Sequence, residues 1–171
     1  MRTKYLFAIA CVMFICFAGC ASTDGEPAGT SNNGALVIGV VLNDMDYVGR
    51  VDSAQYPVSQ MSVKNLTSGQ VYDIYLTSNH GIATLPSGTY CFNSLRPQGS
   101  TPLVYCAKPF FSINAGKILV AGFFEFAVNF HTRSYKLVDS FTNPQGLFDS
   151  LSQSEKDTLA GFSNKNPADT D

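Results

Sequence analysis

The sequence predicts a mainly β fold, an antiparallel β-sandwich carrying one or two short C-terminal helices. Three observations predict it. Only 14% of the 171 residues are charged while 12% are aromatic, with no Trp, a balance that suits pleated, half-buried strands. Across residues 35–141, apolar or alternating segments of strand length are separated by turns rich in Gly, Asn and Ser. Helix-start signals follow, at Asn143-Pro144 and at Ser152 with Glu155 three residues on.

The chain opens MRTKYLFAIACVMFICFAGCAS. Arg2 and Lys4 form a basic start, residues 5–17 are uncharged and almost all apolar, and small residues follow. The run falls short of the roughly 18–20 apolar residues of a spanning helix and has the shape of a secretory signal. Phe17-Ala18-Gly19-Cys20 resembles the lipobox of bacterial lipoproteins, in which the cysteine thiol is acylated and the peptide is cut just before it. The Ala-Gly-Cys core fits; Phe17 stands where that family usually has Leu. The resemblance implies a signal peptide over residues 1–19, lipidation of Cys20 and a membrane tether in which each buried methylene contributes about 0.8 kcal/mol. Ala21, with no Asp there, implies the outer membrane of a Gram-negative cell envelope, facing the periplasm. The alternative is an ordinary signal peptide cut near Ala18, which leaves Cys20 a plain thiol.

Taking the first nineteen residues from 171 leaves 152, the length of one domain. Arg2 and Lys4 leave with the signal, so nine of the eleven basic residues face thirteen acidic ones, a net charge of −4 with no basic run. Nucleic acid is excluded as an expected partner, since binding it needs clustered positive charge. Cys11 and Cys16 also leave and Cys20 is lipidated, so Cys91 and Cys106 are expected to form one disulfide in an oxidising compartment. A metal site combining them with His80 and His131 is favoured by neither spacing nor compartment.

Residues 20–34 contain no large apolar side chain and are expected to be a flexible tether. The domain, residues 35–141, opens with ALVIGVVL, a β-branched run suited to a strand buried on both faces or at a sandwich centre. Residues 43–55, with Asp44, Asp46, Gly49 and Asp52, read as a long loop. Residues 58–66 and 70–76 read as a hairpin about Thr67-Ser68-Gly69. In its second strand Tyr72, Ile74 and Leu76 point one way and Val71, Asp73 and Tyr75 the other.

In residues 76–92, Thr77, Gly81 and the corner Leu85-Pro86-Ser87-Gly88-Thr89-Tyr90 resemble the transthyretin-like, carboxypeptidase-regulatory-type β-sandwich. Ser78 stands where that family has an acidic turn residue. The resemblance implies a sandwich and carries no activity, because the fold serves many purposes. Residues 88–95 and 103–110 are then expected to pair about Gln98-Gly99, setting Cys91 opposite Cys106 and Tyr105 opposite Phe92, with both cysteines on the face away from those aromatics.

Residues 118–130, ILVAGFFEFAVNF, form the most hydrophobic segment after the signal, and Gly122 suggests a bulge. Glu125 lies among Phe123, Phe124 and Phe126. It is a candidate binding carboxylate, although strand alternation would turn it outward or pair it with a cation. Residues 131–141 read as a last strand with Tyr135, Leu137 and Asp139 on one face. Over residues 142–163, Leu147, Phe148, Leu151, Leu159 and Phe162 suit short helices closing over one end of the sandwich, and residues 164–171 are expected to be disordered.

No nucleophile elbow, phosphate-binding glycine loop or metal-type histidine pair is present. Ser78 and His80 are too close in one turn for a dyad, His131 reads as a surface or half-buried residue, and Asp44, Asp46 and Asp52 lack the ligand spacing of an EF-hand. No catalytic residue, cofactor or metal is therefore expected. The expectation is a non-enzymatic, membrane-anchored module that binds or assembles other envelope proteins, with sheet edges and tyrosines as binding features. The alternative is a periplasmic carrier of a small apolar or carbohydrate ligand, held between the sheets or under the helices. A closed, fully packed core would argue against the carrier, and a lined cavity with Glu125 pointing into it would favour both the carrier and an enzyme.

Overall fold

A computed structural model of the chain describes residues 32–164 apart from 47, 100, 105, 107 and 133. The expected signal peptide, Cys20 and the tether up to residue 31 lie outside the described residues, as do residues 165–171. The strands are β1 (Asn33–Met45), β2 (Val51–Tyr56), β3 (Val58–Asn65), β4 (Val71–Tyr75), β5 (His80–Pro86), β6 (Gly88–Pro97), β7 (Leu103–Val104), β8 (Phe110–Ile113), β9 (Lys117–Asn129) and β10 (Ser134–Thr142). Two short helices, α1 (Pro144–Ser150) and α2 (Gln153–Thr158), precede a last short strand, β11 (Ser163–Asn164).

These strands build the β-sandwich the sequence predicts. One sheet runs β10-β9-β1, with β5 and β2 sharing the other edge of β1 and β11 on β9. The second runs β4-β3-β6, with β7 and β8 sharing the far edge of β6. Most neighbours are antiparallel, as expected. Both exceptions involve β9: it runs parallel to β1 at the centre of the first sheet, from Ala35 opposite Ile118 to Asp44 opposite Val128, and parallel to the short β11 at its start.

The unbroken apolar run of β1 is explained by burial on both faces. Leu36, Ile38, Val40 and Leu42 face the second sheet and meet Met61, Val63, Tyr90, Phe92, Leu95, Phe124 and Phe126 in the main core. Ala35 and Val37 face the other way and pack with Ile118, Val120, Leu147, Leu151 and Leu159. The helices therefore cover the outer face of the first sheet and do not cap the end between the sheets, because half of the apolar side chains of β1 and β9 point outward and need cover.

β9 feeds both clusters by means of a bulge. Ala121, Phe124, Phe126 and Val128 lie in the main core while Ile118 and Val120 lie under α1, so the inward set changes from odd to even numbers. The change falls at Gly122, where φ is +75° and the register with β1 slips between Val37 and Ile38. The glycine expected to mark a bulge does so.

One expected loop is more ordered than composition suggested. Residues 43–55 are not one long loop: β1 continues to Met45 and returns as β2. Asp46 Oδ1 accepts hydrogen bonds from the amides of Val48 (3.0 Å) and Arg50 (2.8 Å), which closes the turn between them. The hairpin of residues 58–66 and 70–76 forms as expected, with unbroken pairing from Gln60–Tyr75 to Lys64–Val71. Asn65 Oδ1 caps its turn by accepting from Thr67 and Ser68. At the Leu85–Tyr90 corner the phenol of Tyr90 donates to the Pro86 carbonyl at 2.7 Å, tying the start of β6 to the end of β5.

The pairing of β6 departs from the expected register. Ser94 faces Val104 and Leu95 faces Leu103, after which the chain leaves the ladder through a cis Lys108–Pro109 bond and returns with Cys91 opposite Phe110. The cross-strand neighbour of Cys91 is thus Phe110, yet the disulfide to Cys106 forms, with Cα atoms 5.6 Å apart. Cys91 is buried and Cys106 exposed. The closed loop spans 15 residues, worth about 3 kcal/mol on the chain-entropy estimate. Tyr105, the expected partner of Phe92, lies outside the described residues.

In β10, Tyr135 and Leu137 pack on the core as expected. Asp139 does not join them: register shifts on both sides of it turn its carboxylate to solvent, where it accepts from the Ser140 amide.

Candidate functional site

Among the described residues a cleft lies on the outer face of the first sheet, between β5 and α2. It grows from a tight turn. Thr77 and His80 exchange backbone hydrogen bonds (2.8 and 3.1 Å), and Ser78 and Asn79 between them take φ of +52° and +65°. Two left-handed central residues make the turn that matches strand twist. The turn sets His80 as the first residue of β5, and alternation then puts His80, Ile82 and Thr84 on the outer face while Gly81, Ala83 and Leu85 face the core.

The opposite wall is set by a capping box. Asn143 starts α1 by accepting from the Gly146 amide at 3.1 Å. Ser152 starts α2: its hydroxyl accepts from the Glu155 amide, while Glu155 Oε2 accepts from the Ser152 amide (2.8 Å) and hydroxyl (2.7 Å). The same carboxylate turns its other oxygen to β5, where Oε1 lies 3.0 Å from His80 Nε2. The His80 side chain is 11% exposed and that of Glu155 31%.

The Ser152 hydroxyl, then the Ser152 amide, hold the Glu155 carboxyl below its ordinary value of 4.5; burial opposes them and His80 adds to them. A carboxylate with a depressed folded pKa contributes stability that is fully present above the unfolded pKa and is lost as pH falls through the folded one. Ser152→Ala removes the cap and the largest of these donors. It is expected to cost about 1 kcal/mol at pH 7, with the gap to wild type narrowing on acidification to pH 3, as the pH falls toward the depressed pKa of the wild-type carboxyl. Urea titrations at the two pH values check this, and a gap that widens on acidification contradicts it.

The cleft, open to solvent along one side, offers about 350 Å³. Ile82, Leu159 and Phe162 supply its apolar surface, His80, Glu155, Thr77 and Thr84 its polar surface, and Tyr75, 77% exposed, stands at its mouth. The arrangement offers a fixed acceptor, hydroxyl groups and aromatic faces.

The residues weighed in the sequence fall elsewhere or take other roles. Glu125 sits half-buried on the outer face of β9, opposite Asp139, and does not line the cleft. The Thr142 hydroxyl lies 3.4 Å from its Oε1 and 3.3 Å from the Phe123 carbonyl, so one hydrogen serves both. Ser78 spans the turn before His80, whose Nε2 is engaged by Glu155. His131 is exposed in the turn after β9. Asp44 and Asp46 bond nearby backbone amides, and among the described residues no three His, Cys, Asp or Glu side chains are grouped to hold a metal. Cys20 lies outside the described residues. Glu155 was legible only as a cap. Nothing in the sequence marks its meeting with His80, 75 positions away.

Among the described residues no helix is long and apolar enough to cross a membrane. No protein-family model, no curated protein and no solved structure matches the chain.

Proposed function

We propose that this chain is a lipid-anchored protein of the bacterial cell envelope, held through Cys20 at the outer membrane, whose non-enzymatic β-sandwich binds a protein partner. The observation that carries the reading is an exposed apolar tip at the end of β1 remote from the tether. β1 begins at Asn33, thirteen residues after Cys20, and runs thirteen residues to Met45, about 40 Å at strand rise. At its far end Val48 is 75% exposed, Val51 41% and Phe130 37%. Val48 lies in the turn between β1 and β2, Val51 opens β2 and Phe130 lies in the turn after β9. Lys136 Nζ of β10 donates to the Gly49 carbonyl at 3.0 Å, which ties β10 to the first of these turns. Apolar side chains exposed at the end of the first sheet farthest along β1 from the tether suit a protein partner.

The test is a photo-crosslinking amino acid at position 48 in cells, beside the same variant carrying Cys20→Ser. One dominant protein adduct that disappears with Cys20→Ser is expected. An adduct pattern no different from that of a probe at exposed Gln55 overturns the reading.

A second reading, a carrier of a small ligand, is favoured by the cleft under α2. The space between the sheets is filled: Phe92 stands 4.7 Å from Phe126 and 5.6 Å from Phe124, centre to centre.

A further inference from the structure

Resting on this second reading, we propose that the cleft between β5 and α2 binds a neutral saccharide of one or two rings. The volume of about 350 Å³ lies at the small end of the roughly 300–1,000 Å³ of ligand pockets. That suits a short ligand and excludes an acyl chain lying at full length.

The lining selects the chemistry. Glu155 Oε2 is saturated by two donors from Ser152, while Oε1 accepts from His80 alone and has capacity for another donor. The carboxylate is fixed from both sides before a ligand arrives, by the capping box and by His80, so ligand binding does not have to order it. Thr84, exposed on β5, adds a hydroxyl that both donates and accepts. Against these polar groups stand Ile82, Leu159 and the aromatic Phe162.

Each competing class leaves a group badly served. An anion meets the Glu155 carboxylate. An ammonium finds the same free capacity at Oε1 but must shed its hydration shell against Ile82, Leu159 and Phe162, a larger cost than a neutral hydroxyl incurs. A purely apolar molecule desolvates Oε1 and the Thr84 hydroxyl without pairing them. A sugar ring has a C–H face for the aromatic wall and hydroxyls for the polar one.

The experiment is an amide-resolved NMR titration of the full chain in a phosphocholine detergent, which has no sugar head group. The probes are glucose, N-acetylglucosamine and cellobiose, against glucuronate, glucosamine and cyclohexanol. A neutral sugar is expected to shift the amides of Ile82, Thr84, Leu159 and Phe162 saturably in the millimolar range, with glucuronate and glucosamine at least tenfold weaker. Phe162→Ala should weaken binding at least tenfold. Because Phe162 also packs under α2, Thr84→Val, at an exposed position, gives a second variant with the fold preserved and an expected loss of at least threefold. Binding of cyclohexanol without any neutral sugar, or of a charged sugar as tightly as its neutral counterpart, overturns the saccharide assignment and leaves the carrier reading standing. No shift at these amides with any probe overturns both.

Discussion

Phe92→Ala is expected to lower the unfolding free energy by about 4 kcal/mol, the largest loss among single side-chain truncations in this core. Phe92 comes from β6 in the second sheet and is fully buried. Its ring meets Phe124 and Phe126 of β9 in the first sheet, at 5.6 and 4.7 Å between centres. Phe124 in turn meets Phe141 edge-on at 5.0 Å, so the truncation empties the middle of an aromatic chain that spans both layers. The backbone around the site has little freedom to collapse. β6 is pinned by β3 on one edge and by β7 and β8 on the other, and β9 lies between β1 and β10. Phe92→Leu keeps most of the volume and is expected to cost less than half as much. With no Trp in the chain, urea unfolding is best followed by far-ultraviolet circular dichroism. A loss under about 1.5 kcal/mol for Phe92→Ala would mean that the sheets close over the gap and that the layers are held by something other than this cluster.

The parts of the fold legible in the sequence are those decided locally. The β1 run, the β3–β4 hairpin, the Gly122 bulge, both helix caps and the pairing of the two remaining cysteines each depend on residues near in sequence, or on simple elimination. Pairing between distant segments was not legible. Nothing in ALVIGVVL or in ILVAGFFEFAVNF distinguishes a parallel neighbour from an antiparallel one, because both are apolar on two faces. The loop read over residues 43–55 fails for a related reason. Asp44, Asp46 and Asp52 weigh against strand by composition, yet one of them, Asp46, acts as the turn's own acceptor, and the residues beside it are free to pair. For the candidate site, His80 and Glu155 each had a sufficient local account, as a turn residue and as a helix cap. A contact 75 residues long leaves no periodicity to read.

Gly122→Ala is expected to cost about 2–5 kcal/mol, combining roughly 1–2 kcal/mol for a left-handed L-residue with about 1–3 kcal/mol for forcing atoms into filled space. Gly122 has φ of +75°, and a Cβ built there would overlap the Thr142 carbonyl oxygen and stand 3.1 Å from Phe141 C. Thr142 is the ladder neighbour of Phe123, and β10 is irregular at that point, with Phe141 itself at φ of +59°. The two strands have no slack with which to move apart. Gly99 supplies the control, since it has the same φ of +75° and nothing within 4 Å of an added Cβ. Gly99→Ala should therefore show the backbone cost alone, about 1–2 kcal/mol. The difference between the two variants isolates the close approach of β10, and equal losses would refute that approach. A relaxed outcome has a structural consequence as well. If β9 straightened to relieve the overlap, the residues after position 122 would rotate by one place, and Phe124, Phe126 and Val128 would turn from the sandwich core to the outer face. That slip would expose three of the largest core contacts of β9 and strip Phe92 of both ring partners. Gly122→Ala is thus expected to destabilise without shifting register, and an unchanged near-ultraviolet circular dichroism of the folded variant, which reports the packing of Phe92 with Phe124 and Phe126, distinguishes a strained native sheet from a slipped one.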